Sequence, residues 1–171
     1  MSETKVTKDL EKRELTVERV FDAPRERVWA AYADPEKLAK WWGPRGWETT
    51  IKSFDFRPGG EWHYCMKCVD EKQGEFYGQE SWGKAVYGEI DEPNIITYTD
   101  YFSDAEGNIN TEMPASTAIM EFFEEAGKTR LVVRSVFETA EGLQQVLDMG
   151  VVEGLTQTLD RLEEFVVTSD V

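Results

Sequence analysis

The sequence has one histidine, two cysteines and far fewer basic than acidic residues, and each scarcity removes a class of function. Nineteen Lys and Arg stand against 34 Asp and Glu, a net charge of −15. Phosphate recognition needs a basic surface, so no nucleic-acid partner is expected. Anionic membrane surfaces are disfavoured for the same reason, and the acidic excess is read as keeping the protein soluble. Two cysteines imply no disulfide framework. No apolar run reaches the roughly 18 residues of a membrane-spanning helix. The first thirteen residues are polar and charged and lack the apolar segment of a secretory signal. The expectation is a cytoplasmic protein with a flexible charged segment over 1–13 and one domain over 14–171.

What the chain does have is aromatic residues and pattern. Six Trp, six Tyr and nine Phe supply a core. Near the C-terminus Leu143, Leu147, Val151, Leu155, Leu159, Leu162 and Val166 recur every three or four residues, which predicts one long amphipathic helix over 139–167 with Thr139 as its N-cap. Upstream, two-residue alternation predicts strands over 14–21, 47–56, 61–67, 81–90, 95–102, 116–123 and 129–137. Two short helices fall after the first strand. One opens at Asp22-Ala23-Pro24; the other is punctuated by Asp34 and Pro35 in front and by Gly43 and Pro44 behind. Hairpin spacing makes the sheet antiparallel, and no βαβ alternation or repeat occurs. The predicted fold is α+β: a curved seven-stranded antiparallel sheet around a long C-terminal helix.

Chemistry is harder to place. His63, Cys65 and Cys68 resemble metal ligands in spacing, but residues 63 and 65 of a strand project opposite to 68, and a single extended strand cannot surround a tetrahedral ion. Residues three apart in a strand lie about 10 Å apart, too far for a disulfide. His63 and Cys65 share a face, yet no third group orients them as base and nucleophile. No phosphate loop or nucleophile elbow is present. No metal, cofactor or catalytic residue is therefore expected, and a non-enzyme is the reading. The candidates left are lining residues of a pocket between sheet and helix: Trp62, Tyr64 and Met66 from one strand face, Trp41 or Trp42 beside them, and Met149, Gly150 and Leu155 from the helix. Adjacent Trp41 and Trp42 cannot point the same way, so one packs and one faces a rim or pocket. Gly150 and Gly154, four apart, either admit a close neighbour or leave room for a ligand. Arg19, alone among apolar residues on its strand face, is either a pocket cation or one half of an ion pair.

The succession Leu15-Thr16-Val17-Glu18-Arg19-Val20-Phe21-Asp22-Ala23-Pro24, Val28-Trp29, Asp34-Pro35 and Trp41-Trp42-Gly43-Pro44 resembles the opening of the activator of heat-shock protein 90 ATPase homologue family, in the START-like (SRPBCC) superfamily. Asp55-Phe56-Arg57-Pro58-Gly59-Gly60, Glu89-Ile90-Asp91-Glu92-Pro93, and Met149-Gly150 through Gly154-Leu155 to Leu159 and Leu162 continue the resemblance. It implies a helix-grip fold with a cavity between sheet and helix, and binding of a small hydrophobic or aromatic molecule. It also implies two alternatives: a chaperone-interacting module, or a cyclase- or hydrolase-type enzyme using Arg19 or Glu89. Relatives that stimulate the chaperone carry a further N-terminal domain, whereas thirteen residues precede the first predicted strand here. Many relatives have Trp at the position of Leu155; the smaller residue would enlarge the cavity.

Overall fold

The computed structural model describes residues 3–168. In chain order the elements are β1 (Lys5–Asp9), β2 (Glu14–Phe21), α1 (Arg25–Ala33), α2 (Pro35–Trp41), β3 (Trp47–Phe54), β4 (Glu61–Cys68), a 3-10 segment (Glu71–Phe76), β5 (Glu80–Asp91), β6 (Ile95–Ser103), β7 (Ser116–Glu125), β8 (Lys128–Phe137), α3 (Ala140–Asp148) and α4 (Val151–Thr168). The strands form one open antiparallel sheet in the order β1-β2-β8-β7-β6-β5-β4-β3. The architecture is α+β, an antiparallel sheet with C-terminal helix.

Two sequence expectations need correction. The sheet has eight strands among the described residues, not seven, because Lys5–Asp9 pairs with β2 from Lys5↔Glu18 to Asp9↔Glu14. Four of the five side chains in β1 are exposed, so its place is held by backbone hydrogen bonds that leave no apolar alternation to read. The C-terminal helix is two helices. Gly150, at φ +87, lies in the left-handed region that ends a helix, and its N–H donates to the Leu147 carbonyl at 3.1 Å. The apolar stripe runs through the break because both helices lie on the same sheet.

Local chemistry explains the other elements. Along β2 every second residue is buried, bringing Leu15, Val17, Arg19 and Phe21 inward. Asp34 caps α2 by accepting from the Glu36 N–H at 2.9 Å, and Thr139 caps α3 by accepting from the Gly142 N–H at 2.9 Å. Register slips at Ile51/Ser53 in β3 and Tyr87/Ile90 in β5 are bulges, which bend a sheet. Most of the core lies between the inner sheet face and α1, α2 and the second half of α4, around Trp29, Trp41, Trp62, Phe122, Leu159 and Leu162. A smaller cluster of Leu15, Phe137, Leu143 and Val146 seats α3.

Candidate ligand-binding cavity

A cavity of about 260 Å³ opens where these two clusters meet. Trp42, Tyr64 and Met66 belong to the larger cluster's side, and Phe137, Val146 and Val151 to the smaller one's; all six line the cavity. Strand register shows why space remains. Across the inner face one row runs Trp62, Ala85, Asp100, Ser116 and Phe137, and the next runs Tyr64, Gly83 and Phe102. Small residues therefore occupy the middle of each row. On the helical side Gly154 lines the void, and a Cβ placed there would meet nothing within 4 Å. The neighbouring gap between Tyr32, Trp62 and Tyr98 holds only about 10 Å³, and on the other side of Tyr101 and Pro114 a more polar cavity of about 380 Å³ lies between the 109–115 loop and the start of α3.

The polar content of this cavity is specific. The Tyr64 hydroxyl lies 3.2 and 3.4 Å from the two carboxylate oxygens of Asp100, to which it donates. It reaches them by crossing β5 at Gly83, where any Cβ would come within 2.4 Å of the phenol ring. Burial pushes Asp100 up to about 7, while the hydrogen bonds from Tyr64 and from the Tyr101 backbone pull in the opposite direction. Burial first, and the Asp100 charge second, hold the Tyr64 hydroxyl well above the usual phenol range. Tyr98 on β6 and Tyr87 on β5 are likewise raised, chiefly by burial and then by Asp100. Among the described residues, no lysine, arginine or histidine lines the cavity.

The residues singled out from sequence distribute unevenly. Trp42, Tyr64, Met66 and Leu155 line the cavity. Trp62 lies one step deeper, with its ring centroid 4.5 Å from that of Tyr64 and its indole N–H buried without a partner. Trp41 is the packed member of the tryptophan pair, fully buried and donating from its indole to the Ala31 carbonyl at 3.0 Å. Its neighbour Trp42 is held at the cavity by Arg161, whose guanidinium sits among the carbonyls of Lys40, Trp42, Gly43, Pro44 and Trp47. Arg19 is away from the cavity. It is 1% exposed and binds Asp160 at 2.6 Å and Glu163 at 3.0 Å, both on α4, and Thr4 at 2.9 Å. Gly150 sits in the turn between α3 and α4, and Met149 beside it is 56% exposed, so the helix break turns both away from the void. His63 is on the outer face, its ring centroid 5.1 Å from that of Trp82 with the planes tilted by 38°, and hydrogen-bonded to the Asp104 carbonyl at 2.9 Å. Cys65 and Cys68 are buried free thiols.

Sequence reasoning missed Asp100, Phe102, Phe137, Val146 and Val151 as lining residues, and left Gly154 open between close packing and room for a ligand. A signal for Asp100 was present. It shares its strand face with Ile96, Tyr98 and Phe102, and Ile96 is fully buried; an acidic residue at an inward position of a central strand marks a buried polar site.

An open antiparallel sheet, a C-terminal helix laid against it and a cavity at their seam are the features of a START-like domain. The chain belongs to the family described as Activator of Hsp90 ATPase homolog 1-like protein, matched over residues 22–166. No curated protein matches it. Among solved structures it is similar to protein Ms6760 from Mycobacterium smegmatis, at 35% identity over 100% of both chains with a TM-score of 0.87. A protein from Staphylococcus epidermidis is 30% identical over 96% of this chain and 94% of its own, with a TM-score of 0.80. One from Arthrobacter aurescens is 28% identical over 97% and 92%, with a TM-score of 0.87.

Proposed function

We propose that this protein is a binding protein that holds a small, largely apolar molecule with an aromatic part in the cavity between the inner sheet face and the α3–α4 helices. In this reading the sheet and α4 act as a helix-grip container in a cytoplasmic protein. The observation that carries it is the void of about 260 Å³, walled by Trp42, Tyr64, Met66, Phe102, Phe137 and Leu155. Its size is at the small end of ligand pockets, and its wall of apolar rings with one convergent polar pair has their usual composition. Removing about 200 Å² of apolar ligand surface from water yields roughly 5 kcal/mol gross at about 25 cal/mol per Å², before ordering costs reduce it. Binding rather than catalysis is supported by the position of His63 and Cys65, which face away from the cavity.

The test uses N-phenyl-1-naphthylamine, a neutral probe whose fluorescence rises in apolar surroundings. Wild type is expected to enhance and saturate that fluorescence. Gly154→Leu, which places a side chain into the open space at that position, is expected to weaken binding at least tenfold while remaining folded. Equal binding by wild type and Gly154→Leu would overturn the proposal.

Family membership supports a second reading, a chaperone-interacting module that uses the acidic exterior. Co-sedimentation with a chaperone ATPase at low and high salt tests it, because contacts through exposed charges weaken as salt rises. No complex at low salt would remove it.

A further inference from the structure

We propose that the cavity selects ligands carrying a protonated amine on an aromatic body and rejects ligands carrying a carboxylate, with Asp100 as the residue that discriminates. This inference rests on the cavity being a binding site and adds the chemical class of its occupant.

Charge provides the first argument. Of the lining residues, Asp100 is the one carboxylic acid, and no lysine, arginine or histidine among the described residues shares the cavity with it. A ligand carboxylate placed here would meet a second carboxylate in surroundings of low polarity with no counter-charge, which is strongly unfavourable. A ligand ammonium would supply the missing partner.

Free acceptor capacity provides the second. A carboxylate has about four acceptor positions. Asp100 receives two donors, the Tyr101 backbone N–H and the Tyr64 hydroxyl, the latter spread between its two oxygens at 3.2 and 3.4 Å. Both contacts are long for O–H···O hydrogen bonds. Its strand neighbours at the same level, Ala85 and Ser116, present a methyl and a short hydroxyl. Capacity for a donor remains, and it faces the void that Asp100 lines.

The walls provide the third. Trp42, Tyr64, Phe102 and Phe137 surround the void with rings, and aromatic faces attract cations as well as flat apolar bodies. The arrangement thus accommodates both parts of an arylalkylamine.

Tyr64 from β4, Tyr87 from β5 and Tyr98 from its own strand face Asp100 and are held protonated by burial, and Tyr101, next to it on β6, also lines the cavity. From the helices the cavity receives Val146, Val151, Gly154, Leu155 and Thr158, none of which titrates. Discrimination between amine and acid is therefore governed by Asp100, and it weakens as pH falls through about 7.

The experiment is calorimetric titration at pH 8 with three indoles of matched shape: tryptamine, 3-ethylindole and indole-3-acetate. Tryptamine is expected to bind at least tenfold more tightly than 3-ethylindole, and indole-3-acetate at least tenfold more weakly. Asp100→Asn is expected to bring the three within about threefold of one another. Tyr64→Phe, which removes the competing hydroxyl but keeps the ring, is expected to preserve or widen the preference for the amine. If 3-ethylindole binds but acid and amine bind alike, or if Asp100→Asn leaves their ratio unchanged, the selectivity is overturned and the binding site stands. If none of the three indoles binds while the naphthylamine probe does, the selectivity is overturned and the binding site stands; if neither binds, both fall.

Discussion

Asp100 is a carboxyl group in surroundings that disfavour its charge. Burial raises it from 3.8 to about 7, so between those values the folded protein keeps a proton that the unfolded chain has released. Its contribution to stability is therefore fully present below about pH 4 and is lost as pH rises through 7, at no more than about 1.4 kcal/mol per pH unit. Asp100→Asn removes the effect. Its stability relative to wild type, from urea unfolding at a series of pH values, should be near zero at pH 4 and grow to a plateau in favour of the variant above pH 7.5. Curves that stay parallel would show that the carboxyl titrates normally. Arg19 is the opposite case, an ionised group matched by partners. Arg19→Met leaves Asp160 and Glu163 without their buried cation, and a loss of about 2–3 kcal/mol is expected by urea unfolding, less than for a fully buried pair because both carboxylates reach solvent. Binding of the naphthylamine probe should be unchanged, since Arg19 lies outside the cavity. Alternation put Arg19 on the apolar face of its strand, whereas the strand read over 95–102 did not single out Asp100. Pattern alone did not reveal that Arg19 meets two carboxylates from α4 and that Asp100 meets a void, because Asp160 and Glu163 lie 141 and 144 residues further along the chain and the void depends on strand register.

Among the elements, the two glycines of the C-terminal region carry opposite consequences despite their spacing of four. Gly150 has φ +87 and open surroundings, so Gly150→Ala should cost about 1 kcal/mol through backbone strain alone. Gly154 lies inside α4 with ordinary helical backbone and open space beside it; Gly154→Ala should stabilise by about 0.5–1 kcal/mol. Urea unfolding of the pair should show this difference in sign, and a shared sign would contradict the helix break. The elements most legible in the sequence were β2, the short helices α1 and α2 with their prolines at the start, and the apolar ladder from Leu143 to Val166. The break at Gly150 was hidden because the stripe continues in register on both sides of it. β1 was hidden for another reason, since its pairing engages backbone atoms that every residue possesses.

The whole molecule is a layered domain in which most of the inner sheet face is closed by aromatic packing, while one seam, between the main core and the α3 seat, stays open. The resemblance read from scattered motifs between Leu15 and Leu162 agrees with the family match over 22–166. That level of description was accessible because caps, turns and aromatic pairs recur in a set order. The cavity was foreseen as a consequence of the fold, and Trp42, Tyr64, Met66 and Leu155 were named for it, but its outline was not. A void is defined by atoms that are missing where several strands and helices converge, and Gly83, Ala85, Ser116 and Gly154 become neighbours of one space only once register is known. The most direct measurement is an isotope-filtered NOE spectrum of labelled protein with unlabelled 3-ethylindole. Cross-peaks from the indole to the methyl groups of Val146, Val151 and Leu155 are predicted, and cross-peaks confined to exposed residues such as Met149 and Ile109 would contradict the account.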